Sequence, residues 1–174
     1  MNDNNFAGNS KSAIDFLGNE WKYDCMGCAI SRGDIKIPGG TIYNGKFLVL
    51  GADPEIPIPG FLVISLKRHA NSFSELSRDE RIEIGDVIFT AEKALKELNI
   101  TSEVTLVQEE RSKHFHIWIF PNYSWMTEMF GKGITYLREI SSYAQQNSNE
   151  ENVKKVLDVV SKVRKYFEEH NIGE

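Results

Sequence analysis

His114-Phe115-His116-Ile117-Trp118-Ile119-Phe120 alternates without a break. A strand sends successive side chains to opposite faces, so His114, His116, Trp118 and Phe120 share one face while Phe115, Ile117 and Ile119 point into a core. The two imidazoles then stand about 7 Å apart along a rigid strand. Such a strand, apolar on one side and titratable on the other, needs a sheet around it.

The flanking sequence supplies that sheet. Val104–Gln108 reads as a strand joined to it through the charged turn Glu109–Lys113, which is too short for a crossover helix and so makes the pair antiparallel. Before it, Ser77-Arg78-Asp79-Glu80 has the pattern of a capping box, and Ile84, Val87, Ile88, Ala91, Leu95 and Leu98 recur at helical spacing, predicting a helix over about 78–99. Phe61–Leu66 reads as a buried strand with His69 just beyond it, and the proline-rich Asp53–Gly60 as a loop. Asn44-Gly45, between Thr41–Tyr43 and Lys46–Leu50, predicts a hairpin through a type I′ turn with positive φ at both residues. After Pro121 a helical pattern covers 124–146 with a break at Gly131 and Gly133, and a last helix carries Val153, Val156, Leu157, Val160, Val163 and Phe167 as one stripe behind a Ser148/Glu151 capping box. Residues 13–17 are expected to form a short helix. The fold class is α+β, a mainly antiparallel sheet of about five strands with one long central helix and extra C-terminal helices. Three parts follow: a flexible extension over 1–20, a main domain over 21–126, and C-terminal helices over 127–174 that pack on the same domain or form a homodimer contact.

The chain of 174 residues is the size of one domain, and 41% hydrophobic against 26% charged residues is a globular composition. A net charge of −5 argues against non-specific nucleic-acid binding, so a phosphate ligand requires a local site. The longest largely apolar run, Phe61–Leu66, falls far short of the roughly 20 residues a membrane-spanning helix needs. The first residues show no secretory pattern, so a cytoplasmic location and free thiols are expected.

Those thiols are spaced as Cys25-Met26-Gly27-Cys28, and the chain has four histidines. Cys25 and Cys28 with His69 and His114 make up a Cys₂His₂ set of the kind that closes a tetrahedral zinc site; two inert thiols remain the other reading. A thioredoxin-like reading wants a strand, CxxC, helix start to a βαβ unit, which is missing here.

The order Cys25-Met26-Gly27-Cys28, hairpin, Pro59-to-His69 segment ending in Lys67-Arg68-His69, capped helix and His114-Phe115-His116 resembles the histidine triad superfamily of nucleotidyl hydrolases and transferases over residues 25–126. The resemblance implies that His116 is the nucleophile at a nucleotide α-phosphate, forming a nucleotidyl-histidine, with a backbone carbonyl fixing its tautomer. It implies structural zinc on Cys25, Cys28, His69 and His114, and ribose binding by Asp53. The implied substrate is a dinucleoside polyphosphate, nucleoside phosphoramidate or nucleotide sugar.

The sequence departs from the family at the third triad position, where Trp118 stands in place of histidine. Its indole donates to a phosphate oxygen, stacks under a base, or fills the pocket. Glu110 puts a negative charge where many members carry glutamine, and a charged turn replaces the usual glycine-rich one. Within that turn Ser112 is a candidate for assisting the leaving group, beside Lys113. The rival reading is a nucleotide-binding or regulatory protein that keeps the fold without turnover.

Overall fold

The computed structural model describes residues 10–174. The chain begins with a hairpin of β1 (Lys11–Ile14) and β2 (Glu20–Tyr23), followed by α1 (Met26–Arg32). Strands β3 (Tyr43–Asn44), β4 (Leu48–Ala52) and β5 (Leu62–Leu66) lead to the long helix α2 (Arg78–Glu97), then β6 (Val104–Val107) and β7 (His116–Pro121). Helices α3 (Ser124–Phe130), α4 (Leu137–Gln146) and α5 (Glu150–Glu169) complete it. The main sheet runs β3-β4-β5-β7-β6, every pair antiparallel.

Alternation on β4, β5 and β7 divides the sheet into two unlike faces. Leu48, Leu50, Leu62, Ile64, Leu66, Phe115, Ile117 and Ile119 go to one side, where α2 and α5 cover them with Ile84, Val87, Ala91, Val156, Val160, Val163 and Phe167. On the other side Val63, Trp118 and Phe120 join Phe61, Met126, Leu137 and Ile140 under α3 and α4 at one end. The other end of that face is left to α1 and the β1–β2 hairpin, and there a cavity opens. Helix α5 is tied to the segment before edge strand β3, where Arg164 donates to the Thr41 carbonyl at 2.8 Å, and to the end of α2, where Tyr166 donates to Glu97 at 2.7 Å.

Four local expectations need correction. Residues 13–17 do not form a helix, and 11–20 are not a loose extension: the Asp15 carboxylate accepts from Leu17 N, Asn19 N, Asn19 Nδ2 and Trp21 Nε1, which fastens a tight turn between two strands. A short acidic side chain that captures nearby donors competes with helix in this way. The rest of the expected extension, up to residue 9, lies outside the described residues.

Second, the Asn44-Gly45 turn is not type I′, since neither residue has positive φ. The loop is longer, with Gly45 N–H donating to Leu48 O, and Glu83 of α2 enters it to accept from Phe47 N and Tyr43 OH. A Cβ at position 45 would collide with that carboxylate, so the glycine serves close approach instead of turn conformation. Third, α5 is capped by Asn149, whose side chain accepts from Asn152 N, and not by Ser148. Fourth, β7 starts at His116, leaving His114 just before the strand.

The Ser77/Glu80 capping box does form, and it has a second duty. Buried Glu80 accepts from Ser77 N at 2.7 Å and from Arg68 Nε and Nη2 at 2.6 and 2.8 Å, so the start of α2 is clamped to the residue that precedes His69. The Arg68 guanidinium holds the Glu80 carboxyl down at about 2. That stabilisation is complete above the ordinary carboxylate pKa and is lost as pH falls toward 2. Glu80→Ala removes the capping box's bond to Ser77 N and the partner of Arg68, and at neutral pH should lower unfolding free energy by roughly 2–4 kcal/mol in urea titrations. A loss below about 0.5 kcal/mol would show that the clamp is not structural.

Candidate metal centre and active site

Three separated segments bring four donor atoms together. Cys25 is the N-cap of α1 and Cys28 lies in its first turn; His69 follows β5, and His114 precedes β7. The backbone joins the last two directly, with Phe115 N–H donating to the Ala70 carbonyl. All four ligand atoms lie within 4.8 Å of one another. Cys25 Sγ is 3.7 Å from His69 Nδ1 and 3.2 Å from His114 Nδ1, and Cys28 Sγ is 3.5 and 3.6 Å from the same atoms. Tetrahedral zinc with sulfur at about 2.3 Å and nitrogen at about 2.0–2.1 Å separates S from N by about 3.5 Å, so the set fits zinc.

The surroundings fit as well. His114 is buried, and its Nε2 lies 2.9 Å from the Leu66 carbonyl, which can only accept, so the proton sits on Nε2 and Nδ1 presents a lone pair to the cysteines. Burial, reinforced by neighbouring His69 and His116, lowers its pKa against the opposing pull of the Leu66 carbonyl, keeping the ring in the neutral form a metal needs. Burial also raises the Cys28 thiol, with adjacent Cys25 adding to it. A divalent cation reverses that preference and takes both sulfurs as thiolates. Gly27, between the cysteines, lies against the His114 ring, where any Cβ would collide with it.

His116 lines a cavity of about 290 Å³ that it shares with Asp53, Ser65, Ser112, Trp118 and His114. Its Nδ1 lies 2.9 Å from the His114 carbonyl and 3.1 Å from Ser112 Oγ. The carbonyl requires a donor, so Nδ1 carries the proton and Nε2 keeps its lone pair. Ser112 therefore stands behind the ring, its hydroxyl also 2.9 Å from the His114 carbonyl. Trp118 is partly buried, edge-on to Phe61 at 5.1 Å and 6.3 Å from His116, and forms part of the wall. Glu110 and Lys113 are exposed in the turn and do not line the cavity.

Asp53 also faces this space. Its Oδ1 accepts from Glu55 N and Ile56 N at 2.9 Å each, and burial pushes its carboxyl up to about 7 despite those bonds. The hairpin adds Lys11 and its register partner Tyr23 at the rim, held near Asp53 by the Phe16 N–H bond to the Pro54 carbonyl. Lys11 is the one lysine or arginine among the described lining residues. Sequence reasoning missed Lys11, Tyr23 and Ser65. Only Ser65 left a trace, as the polar member of an apolar strand. A larger cavity of about 650 Å³ near Pro57–Pro59 and α5 has no histidine or cysteine among its described lining residues, and its Tyr123, Asn147, Lys155 and Lys162 are already paired.

The fold is that of the histidine triad proteins. The chain superposes on a hypothetical histidine triad nucleotide-binding protein from Sulfolobus tokodaii with a TM-score of 0.61, at 15% identity over 86% of this chain and 97% of that one. A Zn-bound histidine triad family protein from Mycobacterium smegmatis gives 0.54 at 15% identity over 81% and 96%, and a HIT family protein from Bacillus anthracis 0.53 at 20% over 79% and 94%. No family model and no curated protein sequence matches the chain.

Two outcomes check this site. Protein purified without chelators should carry close to one equivalent of zinc, and Gly27→Ala should lose most of it and unfold at lower temperature, because the methyl group displaces His114. Zinc retained at full occupancy in Gly27→Ala would refute the packing argument. For Asp53, the folded state holds the proton between the unfolded value of 3.8 and about 7, so stability falls as pH rises through that window. Asp53→Asn should match the wild type near pH 4 and melt higher above pH 7, by roughly 4 °C or more for a chain of this size.

Proposed function

We propose that the protein is a nucleotide hydrolase or nucleotidyl transferase that acts at an α-phosphate through a covalent intermediate on His116. The observation that carries this reading is the His116 tautomer: Nδ1–H donates to a backbone carbonyl, which leaves the Nε2 lone pair for the cavity. Nε2 attacks the α-phosphorus, forming the N–P bond as the bond to the leaving oxygen breaks and its electron pair departs with that oxygen. The ring becomes cationic, and the Nδ1–H bond to the His114 carbonyl stabilises it. Water or an acceptor phosphate then attacks phosphorus, takes the nucleotidyl group and returns neutral His116.

Each remaining role follows from position. Ser112, behind the ring, is a positioning residue for His116. Asp53 has one oxygen held by its own loop, and the other accepts from ribose hydroxyls. Lys11 supplies the cation that a phosphate needs in a protein of net charge −5. Zinc supplies a rigid structural clamp. The nucleotide-binding description of the hypothetical Sulfolobus protein supports a nucleotide ligand, and within that class we propose a dinucleoside polyphosphate, a phosphoramidate or a nucleotide sugar. One observation favours the rival reading, a binder without turnover: Trp118 packs as wall and brings a single indole N–H to the place next to His116.

Intact-mass measurement after brief incubation with adenine and uridine nucleotides should reveal a nucleotidyl adduct on the wild type. His116→Ala should abolish both adduct and turnover while nucleotide binding survives. Trp118→His should raise turnover, by up to about 10²-fold if the added ring meets developing charge. Equilibrium binding with no adduct and no product in the wild type would establish the rival instead.

A further inference from the structure

The sheet face that carries His116 holds one buried polar group without a partner. Ser65 lies on β5, is 6% exposed, and lines the same cavity as His116. Its Oγ has no hydrogen-bond partner among the described residues. Buried hydroxyls are ordinarily satisfied, because one left unmade is costly, and an alanine would fill this place in the sheet without that cost.

Strand register determines what Ser65 faces. Ser65 pairs with His116, and the next pair along is Leu66 with Phe115, where Leu66 N–H donates to the Phe115 carbonyl. That single ladder bond, the Phe115 N–H going to Ala70 instead, marks Leu66 and Phe115 as a hydrogen-bonded position, so Ser65 and His116 form the non-hydrogen-bonded pair beside it, the kind in which opposed side chains stand closest. His116 folds its Nδ1 back onto the His114 carbonyl, which leaves its other nitrogen to the cavity next to Ser65. Two residues further along both strands the pair is Val63 with Trp118, an apolar and aromatic surface. The polar end of the cavity floor is therefore the His116–Ser65 end, and the end suited to a flat ring is the other.

We propose that Ser65 is a phosphoryl-binding residue whose hydroxyl donates to a non-bridging oxygen of the phosphate presented to His116 Nε2. The proposal rests on the nucleotide reading above and adds to it a specific donor. A hydroxyl with no protein acceptor has its proton free for a ligand, a phosphate oxygen is a pure acceptor, and rotation about χ1 alone reorients the group.

The test compares wild type and Ser65→Ala by titration calorimetry with adenosine, uridine and their 5′-monophosphates, together with thermal unfolding of the zinc-loaded, ligand-free proteins. Affinity for a monophosphate should fall about tenfold, the loss of one hydrogen bond to a charged group. Affinity for the matching nucleoside should change less than about twofold, and the melting temperature should stay level or rise, because the deleted hydroxyl was unpaired. Undiminished monophosphate affinity in Ser65→Ala, with the wild type binding, would overturn the proposal and leave the nucleotide reading intact. Equal losses for nucleoside and monophosphate would also overturn it, since Ser65 would then only shape the wall. A wild type that binds neither would overturn both.

Discussion

The lone pair on His114 Nδ1 points at two cysteine sulfurs because its other ring nitrogen gives its proton to the Leu66 carbonyl, and much else hangs from that bond. The ring cannot turn without leaving a buried donor unpaired. Held there, it joins Cys25, Cys28 and His69 in a set that zinc fits, and the backbone on either side is fixed. The same residue's carbonyl then takes the Nδ1 proton of His116. One residue thus belongs to both centres, through its ring to the metal set and through its main chain to the imidazole in the cavity. A clamp of this kind stabilises and orients without touching a reacting atom.

The division of labour between the two sheet faces makes this arrangement affordable. Helices α2 and α5 close one face completely, so the core does not need the other. The clamp between Glu80 and Arg68 links that packed side to the metal side, because Arg68 precedes His69 and Glu80 sits in the first turn of α2. Stability generated by the buried helix therefore holds a metal ligand in place on an exposed segment. Arg68, read in sequence as part of a motif ending in histidine, has its guanidinium turned to the helix and not to the cavity.

Much of this was legible because it is written in short-range patterns. Period-two alternation in 114–120 separates the core residues from those of the cavity face, and helical spacing after Ser77 locates α2. The Cys₂His₂ set could be named, since few other residues of those types exist to choose from. What failed depended on which hydrogen-bond partners a side chain finds in the folded chain, some near in sequence and some distant. Glycine at 45 signals a tight turn, but Glu83 from α2 reshapes the loop. Asp15 in a helix-compatible run captures donors up to six residues away. Lys11 and Tyr23 reach the cavity only because the hairpin docks on the Pro54 carbonyl, which no local pattern encodes. The carbonyl that orients His116 was foreseen as a requirement and could be identified only from coordinates.

The electrostatics of the cavity bear on the phosphate ligand proposed above, because the protein as a whole is acidic. Lys11 stands at the rim, while Asp53 and Glu55 contribute carboxyls that would oppose an anion if both were fully ionised. Burial raises both, Asp53 to about 7. Near neutrality Asp53 is thus partly protonated, and the repulsion it exerts is correspondingly reduced. The metal set adds little net charge, because two thiolates balance a divalent ion. Removing charge by burial and leaving one lysine among the described lining residues produces a weak local field instead of a broad basic surface. A field of that kind suits the small phosphorylated ligand proposed above, which can enter the cavity and be desolvated there.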